Sequence, residues 1–127
     1  MAHTIKNIED VEDIAAKSGF GELGEARFAR EDLDATDTGL SHQRLNPNKR
    51  QAFGHHHDQA EEIYLVLAGS GRVKLDDEVV DIKRLDAIRV APKTMRSFEA
   101  GSEGLELVVF GPHCKGDGEI VPNWWSD

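Results

Sequence analysis

An all-β, antiparallel architecture with one short N-terminal helix is the fold class the sequence predicts, and three observations predict it. From about Arg27 onward, short strand-like segments follow one another closely, each closed by Gly, Pro, Asn or Asp. The spacing leaves no room for helices between them, which favours a sandwich or barrel over βαβ units. The helical signal comes early and precedes the strands.

That signal lies in "NIEDVEDIAAKSG", where Ile8, Val11, Ile14 and Ala15 recur at helical spacing. Asn7 can cap the first turn, acidic residues crowd it, Lys17 sits in the last turn and Gly19 can close the end. The pattern predicts one amphipathic helix over residues 8–18. The strands then follow as "RFAR", "TGLSHQRL", "RQAFGHHH", "EEIYLVLAG", "GRVKLDD", "EVVDIK", "DAIRVA", "RSFEA" and "GLELVVFG", a barrel core over about residues 27–111. Asn46-Pro47-Asn48, Gly69-Ser70-Gly71, Pro92-Lys93 and Gly101-Ser102 separate them, and Asp76-Asp77 makes a tight hairpin turn. Residues 112–127 read as an extended tail. Adjacent side chains on an extended strand point to opposite sides, so at most one of Trp124 and Trp125 packs into a given surface. Docking across the sheet or in a subunit interface is the expectation for that tail, ahead of ligand stacking.

A chain of 127 residues is long enough for one domain with a real core, and 39% apolar residues is too many for a disordered one. Fifteen basic residues against 24 acidic give a net charge of -9. Phosphate neutralisation needs clustered cations, so the balance argues against nucleic acid or anionic membranes as general partners. It does not argue against a small anion held by one buried arginine. Cys114 is the sole cysteine, which rules out an intrachain disulfide and fits a reducing compartment. Its neighbour His113 is weak evidence for a nucleophile, whose partners are usually distant in sequence. The N-terminus lacks the apolar core of a signal peptide, and no apolar run approaches the ~18 residues of a membrane span. A soluble cytoplasmic protein is the expectation.

The chemistry concentrates in "GHHHDQAEEIYLVLAGSG", residues 54–71. Alternation puts His55 and His57 on one face and turns His56 toward solvent. Glu62 opens the next strand, sharing a face with Tyr64 and Val66. If a turn brings His57 and Glu62 together, two imidazoles and a carboxylate converge on one point. Such a set suits a divalent first-row ion with positions left open; a hydrogen-bonded polar cluster at a sheet end is the competing reading.

The spacing His-x-His-x4-Glu-x6-Gly, here His55, His57, Glu62 and Gly69, resembles the first motif of the cupin superfamily, and the similarity runs over roughly residues 38–110. The resemblance implies a jelly-roll β-barrel, commonly dimeric. It also implies a divalent transition metal (iron, manganese, nickel or zinc) on His55, His57 and Glu62. Cupins span dioxygenases, isomerases, decarboxylases, lyases, storage proteins and sensors, so the family fixes no reaction.

The second motif is degenerate. Leu85 and Lys93 stand at its glycines, Ala91 at its proline, Arg96 at its histidine ligand and Ala100 at its asparagine, while Lys49 replaces a glycine of the first motif. Arginine cannot lose its proton, so Arg96 is no ligand. Three placements are open for it: across the cavity holding an anionic substrate, paired with Glu62 in a metal-free pocket, or at the rim in water. Tyr64 and Gln51 are further candidates for substrate contact, and Arg44, Arg89 and Phe98 for the wall. His42 reaches the cavity only if its strand lies beside that of His57. The leading reading is a metal-binding cupin, with or without enzyme activity, acting on a small anionic or oxygenated molecule. The alternative is a non-enzymatic, metal-free binding or interaction module. A homodimer is expected from sheet edges and the tryptophan tail.

Overall fold

The computed structural model describes residues 2–126. Eight strands make one curled antiparallel sheet: β1 (Gly24–Phe28), β2 (Thr38–Leu45), β3 (Phe53–His56), β4 (Glu62–Leu75), β5 (Glu78–Lys83), β6 (Ala87–Val90), β7 (Arg96–Pro112) and β8 (Glu119–Pro122). No described helix is long and apolar enough to cross a membrane.

Two long strands turn the sheet back on itself. The first half of β4 pairs with β6 on one side and with Leu105 to Phe110 of β7 on the other, and β7 continues to β2 and β1. The second half of β4 pairs with β5 and with Arg96 to Ala100 of β7, beyond which lie β3 and β8. The glycine clusters expected to divide separate strands instead bend these two. Register shifts fall between Val66 and Ala68 and between Gly69 and Gly71, where bulges redirect a strand without ending it. Gly69 has φ 76, and a Cβ there would sit 2.0 Å from the Gly104 carbonyl oxygen. Only glycine fits that corner.

Strand alternation sends Tyr64, Val66, Val73, Phe98, Leu105, Leu107 and Val109 between the two halves, where they form the core with Ile82, Val90 and Ala100. The Tyr64 and Phe98 rings meet at 4.7 Å. The opposite face of β4 and β7 is apolar as well, with Ile63 directly across from Phe110 and both exposed.

Two expectations need correcting. The helix of residues 8–18 is divided into a 3-10 turn, Ile8–Asp10, and a one-turn helix α1, Ile14–Lys17. Asp13 causes the break: its carboxylate accepts from the N–H groups of Ala15 and Ala26, tying the chain to β1 in a bridge with Arg27. Nor is residue 112 the end of the barrel, because β8 pairs with β3 from Phe53–Pro122 to His56–Glu119. Contrary to the alternation expected of an extended tail, Asn123, with φ 55, turns the chain and both tryptophans dock on the outer sheet face. Trp124 lies against Gly54 and under the Lys74 ammonium, while the Arg50 and Arg72 guanidinium groups cover Trp125.

Candidate metal centre

β3 holds His55 between Arg96 of β7 and Ile120 of β8, with its ring turned inward. His57 follows the strand by one residue, and its N–H donates to the Pro92 carbonyl at 2.8 Å. Glu62 begins β4 opposite Val90. The loop between His57 and Glu62 is tied down by one side chain. Asp117 accepts from the backbone N–H groups of Asp58, Gln59 and Ala60 at 2.7, 2.9 and 2.9 Å. Gly118, at φ 87, permits this approach, since a Cβ there would fall 1.8 Å from the His56 carbonyl oxygen.

Within this frame, one ligand atom each from His55, His57 and Glu62 lies within 4.8 Å of the others, the only such cluster of three among the described residues. Glu62 Oε1 is the hub. His55 Nε2 is 3.3 Å away, His57 Nε2 3.2 Å, and the Tyr64 hydroxyl donates to it at 2.8 Å. Burial pushes the Glu62 carboxyl up, but hydrogen bonds from His55 and Tyr64 and the nearby imidazoles outweigh it, lowering the carboxyl to about 2. Burial, reinforced by the Glu62 charge, holds Tyr64 well above its ordinary range, so its hydroxyl stays a donor.

A divalent ion fits this set. His57 Nε2 is buried without a hydrogen-bond partner although it faces a carboxylate, so the imidazole has a donor atom to spare. On its far side, His57 Nδ1 lies 3.5 Å from Asp117 Oδ2, whose side chain is only 4% exposed. A carboxylate behind a ligating imidazole fixes ring orientation and favours the outward Nε2 as ligand atom. Backbone N–H groups hold Asp117 ionised below the usual carboxylate range against the opposing effect of burial.

The remaining expected residues divide. Tyr64 and Gln51 line the same cavity as the histidines. Gln51 Nε2 donates to Gln43 Oε1 at 3.1 Å, and its Oε1 accepts from the Phe98 N–H. Arg96 takes none of its three expected placements: it is 0% exposed, outside the cavity lining, and has no ion pair with Glu62. Its guanidinium donates to the carbonyls of His55 and Ala91 at 3.4 and 3.3 Å, and Nε has no partner. The strand geometry explains this, because Arg96 is packed directly beside His55 rather than across from Glu62.

His42 does not reach the cavity. It points to the other face of β2 and meets Glu106 at 2.5 Å. His56 turns away from the pair as expected, but β8 partly covers it and its Nε2 lies 3.5 Å from Glu119. Arg44 pairs with Glu25 and Glu106, Arg89 with Glu61, and Phe98 belongs to the core. Cys114 is half-buried at the cavity wall. Asp117 was missed in the sequence; its one local signal is the Gly-Asp-Gly run, which reads only as a turn until β8 is known to pair with β3.

The family model described as "Cupin domain" matches residues 41–111, and the chain belongs to that family. An uncharacterized protein of Methanocaldococcus jannaschii is 36% identical over 70 residues, 53% of this chain and 56% of its own, so the chain spans about half the length of that curated relative. Among solved structures, a cupin protein of Bacteroides fragilis matches with TM-score 0.70 and 20% identity over 100% of this chain and 90% of its own. A polyketide cyclase of Streptomyces resistomycificus matches with TM-score 0.74 and 18% identity over 98% and 87%. Bacillus subtilis oxalate decarboxylase matches with TM-score 0.69 and 20% identity over 91% of this chain but 32% of its own. These likenesses establish the fold.

Proposed function

We propose that this protein is a metal-binding cupin that holds a small oxygen-bearing molecule in its barrel beside a divalent transition ion. Iron, manganese, nickel and zinc all suit two imidazoles and a carboxylate. The observation that carries the proposal is the buried, partnerless Nε2 of His57 facing His55 and the Glu62 carboxylate. When bound, the ion would supply Lewis acidity and open positions for a ligand oxygen.

The chain's own residues do the rest. Glu62 stays anionic at neutral pH and partly offsets the ion's charge. Tyr64 fixes the Glu62 rotamer by donating to Oε1, and the Asp117 carboxylate lies 3.5 Å behind His57 Nδ1. The metal-free alternative required a guanidinium on Glu62, and Arg96 is turned to backbone carbonyls instead. An enzyme reading draws support from fold neighbours that are a cyclase and a decarboxylase. A second copy of the chain is the proposed partner, covering the exposed Ile63 and Phe110 strip. The cytoplasm is the proposed location, since a single half-buried thiol suits a reducing compartment.

Calorimetric titration of untagged, EDTA-treated protein with Fe(II), Mn(II), Ni(II) and Zn(II) tests the proposal. It should give one ion per chain for at least one metal, and none with Glu62→Ala. Absence of binding for all four would contradict it.

A further inference from the structure

The barrel cavity, of about 740 Å³, opens beside the His55–His57–Glu62 cluster and has the size of a site for a drug-sized molecule. Its outer wall is strongly apolar. Ile14, Phe20, Phe28 and Ile120 all line it, yet each is 39–61% exposed. Large apolar side chains left open inside a concavity are covered when an apolar ligand enters. Aromatic rings dominate this wall: Phe20 meets Phe53 edge to face, with centroids 6.4 Å apart.

The polar wall residues are occupied with one another. Gln43 donates to Ser41 Oγ at 3.2 Å and accepts from Gln51, whose own oxygen takes the Phe98 N–H. These three side chains therefore spend part of their hydrogen-bonding capacity on one another and on the main chain. Charge points the same way. The lining carries the acids Glu25, Glu62, Asp117 and Glu119. Arg44 is the only Lys or Arg in it, and its guanidinium is held by Glu25 and Glu106. Arg96 itself lies outside the lining and donates to the main-chain carbonyls of His55 and Ala91.

From these features we infer that the cavity takes a neutral, largely apolar, ring-bearing molecule, lodged among Phe20, Phe28 and Phe53 with an oxygen directed at His55, His57 and Glu62. This deepens the function proposed above, narrowing its oxygen-bearing molecule to a neutral aromatic one. The oxygen's placement rests on that reading, whereas the apolar selectivity stands without the metal.

The test uses two probes of similar ring size on EDTA-treated protein: neutral N-phenyl-1-naphthylamine, followed by its fluorescence, and anionic 1-naphthoate as competitor. The neutral probe should bind at least roughly tenfold more tightly than naphthoate, because the lining offers rings and acids and its one arginine is ion-paired. Phe28→Ser should weaken the neutral probe about fivefold or more, by removing apolar contact area. Leu85→Ser, which alters an exposed apolar residue outside the cavity, should leave binding unchanged. Equal or tighter binding of naphthoate, or equal effects of the two substitutions, would overturn the inference. Because the probes are read without metal, a failed metal titration leaves this result standing, and the reverse also holds.

Discussion

Residues 55–69 and residues 85–100 lie side by side in the barrel, with His55 directly paired to Arg96, yet they have kept different things. The first stretch keeps its chemistry: both histidines, the glutamate and the corner glycine are present, and three of them form the ligand cluster. The second has lost every signature side chain and kept the backbone. Leu85, where the motif has glycine, still adopts φ 71. Arg96, where the motif has its fourth ligand, occupies a fully buried position but donates to carbonyls. A barrel can therefore keep this backbone course without the motif's side chains, while the candidate ligand cluster rests on the three residues of the first stretch.

The largest effect should come from breaking the first stretch. His57→Ala should lower metal affinity more than about 100-fold, measured by calorimetry, since three ligands leave no redundancy. Asp117→Asn should cost about 10- to 100-fold in the same measurement, because it weakens the carboxylate behind His57 and the clamp on the ligand loop. Arg96→His sharpens the comparison from the other side. Restoring a donor beside His55 should tighten metal binding about tenfold, and an unchanged affinity would mean that this position no longer faces the ion.

Two smaller effects concern stability. The folded Glu62 carboxyl, at about 2, lies below its ordinary 4.5, so its stabilisation is fully present above pH 4.5 and is lost as pH falls toward 2. Denaturant titrations of metal-free protein across that window should show the loss, and Glu62→Gln should flatten it. Leu85→Gly should raise stability by about 0.5 kcal/mol, since relief of a left-handed leucine slightly exceeds the entropy cost of glycine.

Strand alternation and turn residues made the architecture legible from the sequence: "TGLSHQRL" and "EVVDIK" coincide with β2 and β5. The His55, His57 and Glu62 set was legible because all three lie within eight residues and alternation selects among the histidines. What escaped were features set by distant pairing. Glycines at 69 and 71 look like strand ends locally, and only the β4–β7 ladder makes them bends. Asp13 divides the N-terminal helix through a contact with Ala26, and Asp117 reaches the site only because β8 lies along β3. Arg96 was misplaced for the same reason: its charge suggested an anionic substrate, the Glu62 carboxylate or water as its partner, whereas its register sets it beside His55 and its guanidinium donates to backbone carbonyls.

The central claim is that His55, His57 and Glu62 hold one divalent ion, and anomalous diffraction from crystals grown with Mn(II) or Zn(II) tests it most directly. One peak per chain is predicted, about 2.0–2.2 Å from His55 Nε2, His57 Nε2 and a Glu62 carboxylate oxygen. A peak held by other residues, or no peak from crystals saturated with metal, would contradict it.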